Sequence, residues 1–312
     1  RRERLATLRD GISLVDDGKV EMARPGDGRM LVGDLADVLG HAGIRREPLV
    51  DETPLQFIRR SFDGGTCYFV VNTGDPVDTW VPLSVDSAAV ARLGPMTGRT
   101  DPAAYRTGKS STEVYLQLAA GESVVLQAFD DNVLDAKPRG YWTSGESVAV
   151  DGSWTVEFIR GGPERPPAIE LDDLISWTEL SDLHERFGGT ACYETTFDRP
   201  PGENWWLDLG TVHDSASVWL NGERLGTSID TPYRFPIETL EQTNTLRIEV
   251  TNRAANRIRD LDRRGADWKR FEEINFVGRD YEPFDATEWE VRPAGLLGPV
   301  RIVSREPFHP RQ

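Results

Sequence analysis

A chain of 312 residues, 38% hydrophobic and 28% charged, has room for about two domains of 100–200 residues and the composition of an ordinary globular protein. Its 52 acidic and 36 basic residues leave a formal net charge of −16, a field that repels phosphate backbones and anionic lipid and so argues against nucleic-acid and membrane partners. No apolar stretch reaches the roughly 18 residues of a membrane span, and no apolar h-region follows Arg1-Arg2-Glu3-Arg4, so the chain reads as beginning inside something longer.

Residues 1–50 read as the remnant of a preceding α/β domain. Leu31, Leu35, Val38, Leu39 and Ala42 recur at helical spacing with Gly43 as a C-cap, and weak strands are predicted around Ile12–Val15 and Lys19–Met22. Residues 51–132 read as a small β-sandwich with strands at Leu55–Arg60, Cys67–Asn72, Thr79–Leu83, Glu113–Leu118 and Ser123–Ala128, and with Asp63-Gly64-Gly65 suited to a hairpin. Residues 133–153, interrupted by Pro138, Gly140, Gly145 and Gly152, read as a linker.

Residues 154–305 alternate apolar and polar positions along successive strands. Ala216, Val218 and Leu220 alternate with Ser217 and Trp219 before a tight Asn221-Gly222 turn; Leu246, Ile248 and Val250 alternate with Arg247, Glu249 and Thr251. Two packed antiparallel sheets of jelly-roll type follow, with 306–312 left as a tail. Of Trp205 and Trp206, adjacent on a strand, one belongs to the core and one to the surface. An insertion over 252–295 breaks the pattern. Connections longer than about 15 residues are usually functional or disordered, and this one is too aromatic for disorder. Cys67 and Cys192, the only cysteines, fall in different predicted domains within apolar strands; two buried free thiols are expected, and the cellular compartment stays open.

Several segments carry a resemblance. Tyr193-Glu194-Thr195-Thr196-Phe197, Leu207-Asp208-Leu209-Gly210, Val218-Trp219-Leu220-Asn221-Gly222-Glu223 and Asn244 through Asn252 resemble the sugar-binding, galactose-binding-like jelly-roll of family 2 glycoside hydrolases, closed by Gly295-Leu296-Leu297-Gly298-Pro299-Val300. Ala255 through Gly265, Trp268-Lys269, Ile274-Asn275-Phe276-Val277 and Tyr281-Glu282-Pro283-Phe284-Asp285-Ala286 are similar to the matching stretch of family 106 α-L-rhamnosidases. The resemblance covers most of residues 50–305, more loosely before 150, and implies the C-terminal, mostly β part of such an enzyme. That family keeps its catalytic carboxylates on a TIM-like barrel ahead of these domains, so the implied partners are a missing N-terminal catalytic barrel and a carbohydrate ligand. No catalytic residue carries over.

The residues themselves agree that chemistry is incomplete here. Inverting hydrolysis needs two carboxylates about 6.5–9.5 Å apart, one with a raised pKa. Glu272 and Glu273 are adjacent and would face opposite ways on a strand; Asp260 and Asp262 share a face only if extended. The candidates for ligand-binding or cleft-facing side chains are Asp262, Arg264, Trp268, Glu272, Glu273, Asn275, Tyr281 and Trp289 on the insertion, with Trp219 exposed near it or buried beneath it. Asp260-Leu261-Asp262-Arg263-Arg264-Gly265 fails as an EF-hand, since Arg264 and Phe271 stand at ligand positions. No cofactor is implied; the resemblance leaves room for a structural calcium whose ligands the sequence does not name. Free-standing carbohydrate-binding module and self-contained glycosidase stay open as rival readings.

Overall fold

The computed structural model describes residues 15–311 apart from 17, 26, 45, 52, 109–110, 135–137, 139, 270–278 and 280–281. The described residues open with a three-stranded antiparallel sheet, β1 (Val15–Asp16), β2 (Val20–Ala23) and β3 (Met30–Gly33), followed by helix α1 (Leu35–His41). The start of the expected helix is a strand instead. Met30–Gly33 pairs residue by residue with Ala23–Val20, and the N-cap signal comes only afterwards, where the Asp34 carboxylate accepts the Ala36 amide at 2.9 Å. Gly43, at φ +74°, ends the helix, with the Ile44 amide returning to the Leu39 carbonyl. None of the residues of α1 is buried.

The middle sandwich comprises β4 (Leu55–Phe62), β5 (Gly65–Asn72), β6 (Val77–Leu83), β7 (Ala89–Leu93), β8 (Thr100–Pro102), β9 (Tyr105–Thr107), β10 (Thr112–Leu118) and β11 (Ser123–Phe129). A five-stranded sheet in the order β4-β5-β11-β7-β8 faces a three-stranded sheet β6-β10-β9. Tyr68, Val70, Val81, Val90, Val114 and Leu126 meet between them at complete burial. Alternation dictates which side of each strand points inward. The segment ahead of β4 is fastened by Glu47, which is 4% exposed and accepts hydrogen bonds from the Ser84 amide, the Ser84 hydroxyl and Arg59 at 2.7, 2.8 and 2.8 Å.

The jelly-roll begins inside the stretch assigned by composition to a linker. Strand β12 (Trp142–Ala149) lies within 133–153 and pairs antiparallel with the last strand, with a bulge between Ser144 and Ser147. Its glycines mark the irregularity and not a break: Gly145 lies so close to Ser304 that a Cβ would sit 2.5 Å from the hydroxyl. The further elements are β13 (Trp154–Gly162), β14 (Ile169–Leu171), helix α2 (Asp182–Glu185), β15 (Gly188–Asp198), β16 (Trp205–Asp208), β17 (Thr211–His213), β18 (Ser215–Leu220), β19 (Glu223–Ser228), β20 (Arg234–Ile237), β21 (Thr243–Thr251), helix α3 (Ala255–Arg263), β22 (Gly295–Gly298) and β23 (Arg301–Pro307). β23 thus runs into the expected tail, and Phe308 beyond it packs on Tyr115 and Tyr141.

Six strands in the order β14-β13-β15-β21-β18-β19 oppose four in the order β12-β23-β16-β20, with β17-β22 as a short pair. Asn221 and Gly222, at φ +50° and +84°, make the tight β18–β19 turn. Trp154, Trp177, Phe187, Leu207 and Ile248 fill the core, each at most 2% exposed; burying one such side chain contributes about 1.5–3 kcal/mol. Trp205 is in that core at 3% exposure. Trp206 lies on the opposite side of the sheet, half-buried, with the Arg305 guanidinium 4.2 Å from its ring centre and 3.9 Å from that of Trp142. The two sandwiches are joined by hydrogen bonds: Tyr141 accepts the Ala104 amide at 2.9 Å and donates to the Tyr115 carbonyl at 3.2 Å, and the Gln117 amide group brackets the Trp142 backbone at 2.7 and 3.0 Å.

Both cysteines are free thiols; Cys192 is buried, but Cys67 is only half-buried because it points to the outer side of its sheet. Gly161-Gly162 and Gly188-Gly189 are paired strand ends. There β13 and β15 approach so closely that a Cβ on Gly161 would lie 2.3 Å from the Gly188 carbonyl oxygen.

Candidate functional site

The insertion after β21 is a folded clamp. Helix α3 occupies its first part, so a stretch read without period contains one. Its signal was hidden because the helix holds polar residues on the face that packs: Asn256, Arg259 and Asp262, spaced by three, share one side. Each grips the returning chain by its backbone. Asn256, 4% exposed, donates to the Arg292 carbonyl at 2.7 Å and accepts the Arg292 amide at 2.8 Å. Arg259 donates to the Trp289 carbonyl at 2.7 Å and to Glu185 on α2 at 2.9 Å. Asp262 accepts the Ala286 amide at 2.8 Å. The partners at 292, 289 and 286 step by three as well, so the helix face matches the return segment group for group.

Asp262 is the hub. Its side chain is 5% exposed. One oxygen takes the Ala286 amide, and the other takes the Trp268 indole N–H at 2.6 Å and lies 3.2 Å from the Lys269 ammonium. Burial by itself opposes the charge, but the Ala286 amide, the Trp268 indole and Lys269 together outweigh it and hold the carboxyl below the usual carboxylate range. Lys269 also donates to the Phe284 carbonyl at 2.8 Å. Above these bonds Trp268 meets Phe284 edge-on at 5.9 Å, and Phe284 meets Trp289 edge-on at 5.5 Å. A shallow depression of about 250 Å³ opens beside the hub, its rim formed by Asp267, Trp268, Lys269, Asp285 and Thr287.

The nine residues expected to face a ligand separate accordingly. Asp262, Trp268 and Trp289 are brought together in the clamp, Trp289 at 41% exposure. Arg264 turns away from them and pairs with Asp260 one helical turn back at 2.5 Å. Asp260 and Asp262 do not share a face, since positions two apart on a helix point apart. Trp219 is half-buried on the outer face of the six-stranded sheet with the Arg247 guanidinium 5.4 Å from its ring centre. It pairs with Arg247, four positions along the strand from Thr251. Glu272, Glu273, Asn275 and Tyr281 fall outside the described residues. Asn256, Arg259 and Lys269, which share in the fastening, escaped selection as site residues, although the spacing of three from Asn256 through Arg259 to Asp262 was there to be read.

Among the described residues of the clamp, neither Asp262 nor Asp285 has the properties of a proton donor for hydrolysis. Asp262 is held below the usual carboxylate range by its donors, and Asp285 likewise by the Thr287 amide and hydroxyl; a general acid requires the opposite. Among the described residues no group of three His, Cys, Asp or Glu gathers to hold a metal ion. A second concavity, about 310 Å³, lies where the two jelly-roll sheets part, with Val150, Phe197 and Ile302 below and Asp151, Asp198 and Thr243 at the edge.

No family model matches the chain. A protein from Formosa agariphila provisionally named a β-glucuronidase is 30% identical over 181 residues, which cover 50% of this chain and 16% of that protein. The solved structure of a rhamnosidase from Novosphingobium sp. PP1Y superimposes on 98% of this chain with a TM-score of 0.67 and 27% identity. The chain covers 28% of that structure. The fold is therefore one that occurs as part of glycoside hydrolases, and the chain spans under a third of the relatives it matches.

Proposed function

We propose that the chain is the non-catalytic accessory and carbohydrate-associated portion of a glycoside hydrolase acting on α-L-rhamnosides, in the manner of a family 106 enzyme. The observation that carries this reading is the fit of nearly the whole chain, 98%, onto 28% of a rhamnosidase. Its physical support is the clamp, whose hub carboxylate is buried and ionised for structural bonding, and whose helix α3 is spent on gripping backbone. The rhamnoside is favoured over the glucuronide because the glucuronidase match takes in only half of the chain.

The test uses two proteins, the 312-residue chain and the longer polypeptide that carries it. Aryl α-L-rhamnoside should be hydrolysed by the longer protein and not by the chain alone. Turnover by the isolated chain, or a longer protein that cleaves aryl β-glucuronide and leaves the rhamnoside untouched, refutes the assignment. Calorimetry with rhamnose and rhamnose-containing oligosaccharides separates a buttress from a binding module; heat at millimolar ligand from the isolated chain favours the module.

A further inference from the structure

The five-stranded sheet of the middle sandwich has two apolar faces, one on the core and one whose apolar residues are exposed over β4 and β5. Tyr68, Val70 and Leu126 point inward. On the other side, strand register aligns Ile58, Phe69, Val125 and Leu93 in one row across β4, β5, β11 and β7. A second contact joins Phe62 to Phe129 edge-on at 6.0 Å, over Gly65, where the missing side chain leaves room for the Phe62 ring. Ile58 is 60% exposed, and Phe62 and Phe69 are each 40% exposed. An antiparallel sheet with one face in water normally alternates apolar with polar. Here the outward positions of β4, β5, β7 and β11 carry one charge, Arg60, in a chain of net charge −16. Contiguous apolar surface of this kind marks an interaction site.

We propose that this face is the seat of another folded part of the same longer polypeptide, packed against it through an apolar surface. The inference rests on the accessory reading above. Two observations select this occupant. The match leaves more than two thirds of the rhamnosidase structure outside the chain, at 28% coverage. Moreover, among the described residues eight of the twelve exposed large apolar side chains fall between Val15 and Phe69, and α1 buries none of its residues. The uncovered surface is thus gathered in the first part of the chain and not spread over it.

Cys67 is a built-in reporter, since it lies on the same outer face between Arg60 and Gln127, whereas Cys192 is 6% exposed. Native alkylation with N-ethylmaleimide, read by peptide mass spectrometry, should label Cys67 in the 312-residue chain and at least ~10-fold more slowly in the longer polypeptide, protection corresponding to about 1.4 kcal/mol or more. Phe69→Lys in the longer polypeptide should restore the fast rate; Ile229→Lys, at a position 69% exposed on the other sandwich, should not. Equal labelling of Cys67 in the two unmutated proteins overturns the proposal and needs no variant to fold. So does protection in the 312-residue chain that rises with concentration alongside a dimer in sedimentation, which would give the face to a second copy. A longer polypeptide that hydrolyses rhamnoside yet labels freely sinks the docking alone; one that protects Cys67 but hydrolyses nothing sinks the functional reading alone.

Discussion

Replacing Asp262 tests whether the insertion is held as a clamp. Its carboxylate accepts the Trp268 indole and the Ala286 amide at 2.6 and 2.8 Å, with Lys269 alongside at 3.2 Å. A hydrogen bond to a charged group contributes about 1.5–3 kcal/mol. The Lys269 side chain is 35% exposed, so solvent screening leaves its ion pair a small share. Water can enter from the adjoining depression and replace part of the loss in a variant, so the lower end of the range applies to both strong bonds. Asp262→Ala therefore costs about 3 kcal/mol of clamp closure, or about 150-fold in the closed-to-open ratio. Asp262→Asn should cost nearly as much, because its NH2 group would confront an N–H donor whichever way it turns. The assay is amide hydrogen exchange at Ala286 and Trp289 by NMR, which reads local opening even where global unfolding is unchanged. Exchange at Ala286 within threefold of the unsubstituted chain would refute the reasoning, as would full protection in Asp262→Asn. The pH dependence has a fixed sign. A carboxyl held below its ordinary 3.8 contributes stability that is present above that value and lost as pH falls through the lowered one, so Ala286 protection should persist at pH 5 and disappear in stronger acid.

Asn256→Ala removes a donor and an acceptor from the Arg292 backbone and should destabilise the clamp by about 1–3 kcal/mol, seen as faster exchange of the Arg292 amide. His184 is 7% exposed with its Nδ1 2.7 Å from the Ser181 hydroxyl, and burial lowers its pKa from 6.5. The unfolded chain then binds the extra proton first, so stability should fall as pH drops below 6.5, and His184→Gln should flatten that slope in denaturant titrations between pH 7 and 5. Tyr141→Phe leaves the Ala104 amide without its 2.9 Å partner; a loss of about 1–3 kcal/mol should loosen the joint between the sandwiches and broaden or split the calorimetric transition. Arg305→Lys should not substitute for the guanidinium between Trp142 and Trp206, since a point charge cannot stack on two rings, and a lowered melting temperature checks it.

What could be read from the sequence follows from which physical signal is local. Period-two alternation sufficed for β18 and β21, where Ala216, Val218, Leu246 and Ile248 all became core, because a strand's two faces are determined residue by residue. The same rule separated Trp205 from Trp206. It missed β12, whose outward run through Ser144 and Glu146 is little buried and whose pairing partner, β23, lies about 160 residues away. Nor could it find β7, where Ala89, Val90 and Ala91 are all buried and no alternation exists. Such strands are recognised by their neighbours, which a local window does not contain.

The clamp shows the deeper reason why site residues were harder to read than fold. Trp268 and Trp289 stood among the candidates for ligand contact, yet each meets Phe284 edge-on, and the polar residues beside them are occupied with backbone. Buried polar groups must be satisfied wherever the chain leaves regular structure. In a long connection that demand falls on side chains such as Asn256, Arg259 and Asp262, whose polar groups are bonded to backbone. A carboxylate holding two N–H donors and an ammonium has most of its acceptor capacity committed within the chain. Around the hub, the exposed carboxylates among the described residues are those of the rim, Asp267 and Asp285, and the buried hub holds that rim in place.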